Sequence, residues 1–403
     1  MPPAVDIPPP AMSTSKQKIF NDPVYGFISI PYGILLHLVG HPWFQRLRRI
    51  RQTGLAHLVY PGALHTRFHH ALGALHLMQQ AIEVLRSKGA PITAEEAEAV
   101  CIAILLHDIG HGPYSHALEH NIVNAHHEQL SLWFMEALNR QFDGQLTLAI
   151  DIFSNRYHKP FLHQLVSGQL DMDRMDYLNR DSFFTGVSEG VIGYDRIIKM
   201  LAVHDGNLVV EEKGIYSIEK FLIARRLMYW QVYLHKTNVA AEKMLTCLLK
   251  RGRNDIPPGG QLGWFYQYQD AVTPDILPRF ALLDDSDIDM ALKHWSNSED
   301  LVLQYFASGL LHRHLYRLEW RNTPPDTAES EHIRHRARQI MPEAFPDDFL
   351  VLQGKESNQA YNESKEPIRI LFKNGAVRNM SECSDVPLYT QMITKYYMAT
   401  PKG

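Results

Sequence analysis

Thiols are scarce in this chain of 403 residues: Cys101, Cys247 and Cys383 are odd in number, far apart, and form no Cys-x-x-Cys pair. That excludes a disulfide framework and a thiolate zinc site. Long apolar runs are missing as well. The longest, Ala99 to Leu106, falls far short of the roughly 20 residues that span a bilayer. Positive charge is not in excess, since 40 Lys and Arg against 44 Asp and Glu leave a formal net charge of −4. A strongly basic nucleic-acid binder is therefore not indicated. The first ten residues hold five prolines and no apolar segment after a basic start, which argues against a signal peptide and for a disordered lead-in. With 45% hydrophobic and 21% charged residues, the expectation is a cytoplasmic globular protein without a membrane partner.

Histidine, by contrast, is plentiful. The chain holds 22, and 12 of them lie between His41 and His127, where an even spread would place about five. The hydrophobic spacing is mainly helical. It predicts a helix over Pro42–Gln52 with Phe44, Leu47 and Ile50 inward, and a second behind the cap Thr66 with Phe68, Leu72, Leu75, Ile82 and Leu85 inward. Thr93 to Glu96 is a capping box before a third helix that is apolar on all sides, hence central, and is broken by Gly110, Gly112 and Pro113. Helices are expected at His127–Leu138, Leu170–Asp181, Ile218–Lys250, Ile288–Trp295 and Leu301–Trp320, and a hairpin at Asn207–Ile215 behind Asp205-Gly206. Short strands follow Phe349, most clearly Ile368–Phe372 before the turn Asn374-Gly375. The fold class is mainly α with small β-hairpins and a mixed α/β C-terminal region. The boundaries are a Pro-rich lead-in over 1–17, a core over 18–252 and a C-terminal region over 253–403, after the Pro- and Gly-rich stretch Arg253–Gly263.

The segment His107-Asp108-Ile-Gly-His111-Gly-Pro-Tyr-Ser-His116 ends the buried helix. Adjacent His and Asp side chains diverge on a continuing helix but can converge where the backbone turns. Imidazole and carboxylate together suit a transition metal better than calcium, and His70 and Asp173 can complete a four-ligand site. A lone His-Asp pair is usually a hydrogen-bonded core feature. Two glycines, a proline and two further histidines within nine residues reverse that judgement.

His70, His107-Asp108 and Asp173, in that order, resemble the H…HD…D signature of the HD-domain phosphohydrolase superfamily. Gln45 to Gly54, Tyr60 to Ala63, Arg67 to His70 and Asp173 to Asp181 resemble its deoxynucleoside triphosphate triphosphohydrolase branch, which includes the SAM-and-HD-domain dNTPase. The resemblance runs from about Phe20 to Trp320 and is strongest over Pro42–Tyr177; residues 321–403 are only loosely alike. It implies His70, His107, Asp108 and Asp173 as ligands of one divalent ion (Fe, Mn, Ni, Zn or Mg), with a second Mg accompanying the triphosphate. Such an ion stays electrophilic and leaves room for a water and a phosphate oxygen.

The same resemblance implies His116 as the acid on the leaving 5′ oxygen, Glu119 as its orienting partner where relatives carry aspartate, and His127 and His111 as further catalytic or phosphate-contacting groups. Arg67, Arg174 and Lys236 are expected on the phosphates and Gln52 at the sugar. Tyr177 and Asp181, at i+4 and i+8 from Asp173, should face the cleft. Arg225, Tyr229, Tyr233 and Lys236 should line one side of the long helix, with packing as the plain alternative to substrate contact. Three features are discounted: Asp284–Asp289 as a calcium loop, since it lacks the glycine and distal glutamate and suits a helix cap; the arginines of Arg46–Arg51, which spread around a helix surface; and His312-Arg-His314, taken as exposed.

The leading expectation is a metal-dependent nucleotide phosphohydrolase, a dNTP triphosphohydrolase of dGTPase type releasing deoxynucleoside and triphosphate. Alternatives are another HD phosphomonoesterase or phosphodiesterase, 5′-nucleotidase-like, and an idle nucleotide-binding sensor. A nucleotide effector and a homodimer or homotetramer are implied by resemblance alone. Gly40 stands where effector-controlled relatives carry an aspartate, which removes the guanine-reading contact.

Overall fold

The computed structural model describes residues 17–114, 121–268, 271–388 and 390–402. Of the Pro-rich lead-in only Gln17 is among them, and it opens the first strand. The architecture is helical around one core. At its centre are α1 (Arg67–Ser87), α2 (Ala94–Leu106), α3 (His127–Gln141) and α4 (Met172–Thr185). α1 packs on both α2 and α4. The capping box of α2 forms as expected: Thr93 accepts from the Glu96 amide, and Glu96 accepts from the Thr93 amide. From Ala99 to Leu106 every residue of α2 is buried, so its end at His107 falls inside the molecule.

Nine strands among the described residues build three sheets. β1 (Gln17–Asp22) and β2 (Gly26–Pro31) form an antiparallel hairpin. β3 (Leu201–His204), β4 (Asn207–Glu211), β7 (Arg369–Leu371) and β8 (Val377–Asn379) form a sheet in which β4 runs parallel to β7. β5 (Arg317–Arg321), β6 (Leu352–Asn358) and β9 (Ile393–Thr400) form an antiparallel sheet with β9 in the middle.

Four expectations need correction. The helix over Pro42–Gln52 is α-helical only to Gln45 and tightens to 3-10 over Arg46–Arg49. The hairpin before Ile215 uses Asp205-Gly206 as its turn, so its first strand is β3, upstream of the expected segment. The helix over Ile218–Lys250 is two helices, α5 (Ile215–Met228) and α6 (Lys236–Arg251). A π turn spans Tyr229–Tyr233 between them, and the His235 imidazole accepts from the Thr237 amide to start α6 afresh. Leu301–Trp320 is helical only to Leu311. Arg313 then adopts φ +61°, and the two-residue alternation of Leu318 and Trp320 places Arg317–Arg321 in a sheet.

The arginines of Arg46–Arg51 divide: Arg48 and Arg49 are exposed, while Arg46 and Arg51 turn inward. Arg46 is fully buried and donates to the carbonyls of Leu283 (3.0 Å), Ile109 (2.8 Å) and His111 (2.8 Å). Arg49 pairs with Asp284, and Arg51 donates to the Tyr114 hydroxyl (2.8 Å). Asp284 caps α7 (Asp285–Trp295) with a capping box to Asp287, as the helix-cap reading of Asp284–Asp289 expects. His312 and His314 are exposed.

Arg46→Met leaves buried carbonyls without donors, at about 1–3 kcal/mol each. The expected outcome is a loss of at least about 3 kcal/mol in chemical unfolding; an unchanged midpoint contradicts the bridging role. Gly110 is the second sensitive point, because a Cβ there overlaps the His127 carbonyl and the Ser131 amide at the start of α3. Gly110→Ala should cost about 3 kcal/mol by overpacking, read as a lower thermal midpoint.

Candidate metal centre

The end of α2, the first turn of α1 and the first turn of α4 meet at one point. His70 Nε2 lies 3.3 Å from His107 Nε2 and 3.1 Å from Asp173 Oδ1, and His107 Nε2 lies 3.5 Å from the same oxygen. Ligands about 2.1 Å from an ion sit about 3.0–3.4 Å from one another, so the triangle suits a single cation on three ligands. Asp108 borders it, with Oδ1 3.4 Å from His107 Nε2 and Oδ2 3.7 Å from His70 Nε2. His70, His107 and Asp173 are the one such group among the described residues.

The far nitrogens decide which lone pairs face inward. His70 Nδ1 is 2.7 Å from Asp176 Oδ2, and His107 Nδ1 is 2.6 Å from the Ile104 carbonyl. Both acceptors require a proton on Nδ1, which leaves both Nε2 lone pairs pointing at the Asp173 oxygen and at each other. Two imidazole lone pairs and a carboxylate this close need positive charge between them. Proton affinity tells the same story: burial lowers His70, but its bonds to Asp173 and Asp176 outweigh that and push it up to about 10. Burial likewise opposes the charge on Asp173, yet His107 and His70 hold it well below the usual carboxylate range. The donor set therefore fits a divalent ion of the N/O-binding kind.

Backbone chemistry fixes the turn that carries this pair. Ser131 of α3 donates to the His107 carbonyl (2.7 Å) and accepts from the Gly110 amide (2.9 Å), while Arg46 holds the carbonyls of Ile109 and His111. Tyr114, at φ +51°, is pinned by its amide on Asp285 (3.0 Å) and its hydroxyl on Asp289.

Around the triangle, Arg67 pairs with Asp108 and His111 Nδ1 lies 3.1 Å from Asp108 Oδ1. Burial first, then the Arg67 charge, hold His111 well below the usual imidazole range, so it is neutral at pH 7. The His127 ring stacks on His111 at 3.9 Å. Asp181 is buried with both oxygens engaged, by His65 (2.7 Å) and by the Tyr233 hydroxyl (2.6 Å). The Tyr177 ring stands edge-on to that of Tyr233.

Other expected residues lie differently. Arg174 turns back to Asp171 and the Gly168 carbonyl (2.6 Å), and Arg225 donates to Gln169 (3.2 Å). Gln52 is half-buried, its amide bonded to the His65 carbonyl, and Lys236 is exposed at the first turn of α6. The break before α6 sets Lys236 apart, whereas the rings of Tyr229 and Tyr233 stay in contact and Arg225 and Tyr229 remain beside Tyr177. His116 and Glu119 lie outside the described residues. Sequence reasoning passed over Asp176, Ser131 and His65. Asp176 was legible as a carboxylate three residues after Asp173 and four before Arg180; Ser131 and His65 carry no signal short of the fold.

Known proteins bear on this geometry. The HD domain family matches residues 67–180, and the HD associated region matches 192–256. The uncharacterized protein YwfO of Bacillus subtilis is 29% identical over 92% of this chain and 89% of its own length. The deoxynucleoside triphosphate triphosphohydrolase SAMHD1 homolog of Dictyostelium discoideum is 30% identical over 58% of this chain, which spans about half of that relative's length (49%). No helix among the described residues is long and apolar enough to cross a membrane. A solved phosphohydrolase of Bacteroides thetaiotaomicron superposes with a TM-score of 0.91 and 47% identity, over 96% of this chain and 100% of that one. Carrying the HD family's match across the helices that form the His-His-Asp triangle, and sharing its whole fold with that enzyme, this chain belongs to the HD-domain phosphohydrolases.

Proposed function

We propose that the chain hydrolyses deoxynucleoside triphosphates, releasing deoxynucleoside and intact triphosphate, and that His70, His107, Asp108 and Asp173 hold its divalent ion. The observation that carries this reading is the convergence of His70, His107 and Asp173 with both Nδ1 atoms already committed. The deoxynucleoside triphosphate triphosphohydrolase activity for which the SAMHD1 relatives are named supports the substrate class.

A divalent ion at this site supplies the Lewis acid, drawing charge from a phosphate oxygen and making a water acidic enough to attack near neutral pH. The chain supplies the rest. Arg67, paired with Asp108 beside the triangle, offers a cation to the phosphates. Neutral His111 offers a hydrogen bond, and the stacked His127 fixes its ring plane. Asp181, held by His65, orients the Tyr233 hydroxyl, so that Tyr233 and Tyr177 form a rigid wall for the sugar. Arg174 serves the phosphates only after giving up Asp171. In the resemblance His116, oriented by Glu119, gives its proton to the 5′ oxygen as the bond from α-phosphorus to that oxygen breaks, and the oxygen of water ends on the triphosphate.

Product analysis tests this directly. With Mn2+ and each dNTP in 18O-water, the expected products are deoxynucleoside without label and triphosphate with it; monophosphate and pyrophosphate, or no turnover of any nucleotide, defeat the assignment. Chelation should abolish turnover and Mn2+ restore it. His70→Ala should lower kcat by at least about 1000-fold, as expected when the acidified water and the phosphate clamp are lost together. Retention of wild-type turnover in that variant places the chemistry elsewhere.

A further inference from the structure

A chain of buried charges leads from the metal centre to the N-terminal hairpin. His70 Nδ1 donates to Asp176. The Arg180 guanidinium, one turn further along α4, grips Asp176 through Nε to Oδ2 (2.9 Å) and Nη2 to Oδ1 (3.0 Å). Its remaining edge takes Asp22, the last residue of β1, through Nη1 to Oδ2 (2.7 Å). All three side chains are almost wholly out of water: Asp176 and Arg180 are 0% exposed and Asp22 4%. Asp22 at the same time accepts the amides of Val24 (2.9 Å) and Tyr25 (3.0 Å), which shape the hairpin turn. The Tyr25 ring lies over the guanidinium at 5.4 Å.

Helix α1 is cut to fit this chain. Gly73, one turn after His70, has no room for a Cβ, because one would overlap Asp176 Oδ1 and Arg180 Nη2. A buried ion pair by itself is weak evidence of anything beyond packing. Here, though, two carboxylates share one guanidinium, and one of the two also holds a metal-facing imidazole. Asp22 shares the Arg180 charge with Asp176 and so leaves more of the Asp176 charge for His70 Nδ1–H, which raises the donor strength of Nε2.

We infer that Asp22 is a positioning residue of the metal centre, acting through Arg180 and Asp176 on His70, so that the β1–β2 hairpin is coupled to metal binding. The inference rests on the reading of His70, His107 and Asp173 as metal ligands. By reciprocity, bound metal must then stabilise the docked hairpin.

Mn2+ titration of the metal-stripped full chain tests it, with wild type beside Asp22→Asn, His70→Ala and the control Glu96→Gln. Asparagine keeps an oxygen for the Val24 and Tyr25 amides but loses the charge on Arg180. Glu96 is another buried carboxylate in a different network, with Lys159 and Tyr157. Asp22→Asn should raise the Mn2+ dissociation constant about tenfold, the low end for outer-shell partners, while Glu96→Gln leaves it unchanged. Wild-type affinity in Asp22→Asn, with His70→Ala unable to bind, overturns the inference alone. Wild-type affinity in His70→Ala overturns the metal centre and the inference with it. Hydrogen exchange on the wild-type chain needs no variant to fold. Mn2+ should slow exchange of the β1–β2 amides and leave those of β9 unchanged, and equal exchange in β1–β2 with and without Mn2+ overturns the coupling.

Discussion

A helix that is apolar on every side can present chemistry only where it stops, and α2 stops in the middle of the molecule. That position has a physical requirement. The chain must turn there, and the buried carbonyls of that turn need partners from the protein itself. Arg46 and Ser131 answer the requirement from opposite sides: the guanidinium binds the carbonyls of Ile109 and His111, and the serine hydroxyl binds that of His107. The rest of the site follows from this arrangement. Once the backbone is held in its turn, His107 and Asp108 point toward the same space, and His70 and Asp173 arrive from the opening turns of two helices packed alongside.

Much of this was legible in the sequence, and the reason is local. Thr66, Thr93 and Asp284 announce helix starts through short-range hydrogen bonds, and the stripe Phe68, Leu72, Leu75, Ile82, Leu85 obeys helical spacing because all five residues are buried. The HD motif could be read because its members are rare residues in a rare arrangement. What could not be read depends on distant partners. Arg46 looks like a surface arginine until Leu283, more than two hundred residues away, is known to receive it. The strand at Leu318 and Trp320 exists because β9 lies beside it, and its helical look ends at the left-handed Arg313. The π turn at Tyr229–Tyr233 likewise interrupts a pattern whose helical spacing looks continuous.

The surplus of histidines has a plainer origin than catalysis. His41 accepts the Trp43 amide at the start of a helix, and His69 takes the Thr66 amide in a capping box where glutamate is usual. His57 bonds the Gly54 carbonyl, His65 holds Asp181, and His76 bonds Gln80 beside the Tyr25 ring. An imidazole can donate and accept at once, so it completes backbone ends that aspartate or serine would otherwise cap. A count of histidines over this segment therefore measures helix punctuation as much as metal chemistry, and only the identity of the second nitrogen's partner tells the two apart.

The parallel pairing of β4 with β7 has a consequence for how the chain reaches this structure. Val210 meets Ile370, so the sheet edge exposed by the β3–β4 hairpin waits through 160 further residues before it is covered. All candidate metal ligands precede residue 181, and Asp22 and Arg180 are both made before β4 exists. Emerging from a ribosome, the chain has all four candidate ligands in hand while an unpaired strand is still exposed, and Leu283, Asp285 and Asp289, which hold Arg46 and Tyr114 around the turn, arrive only later. Pairing across so long a separation is slow, because the closure entropy of the loop must be met first. The interval of exposure is thus set by the distance from Glu211 to Arg369, and a nascent chain halted within it displays an adhesive, unpaired edge.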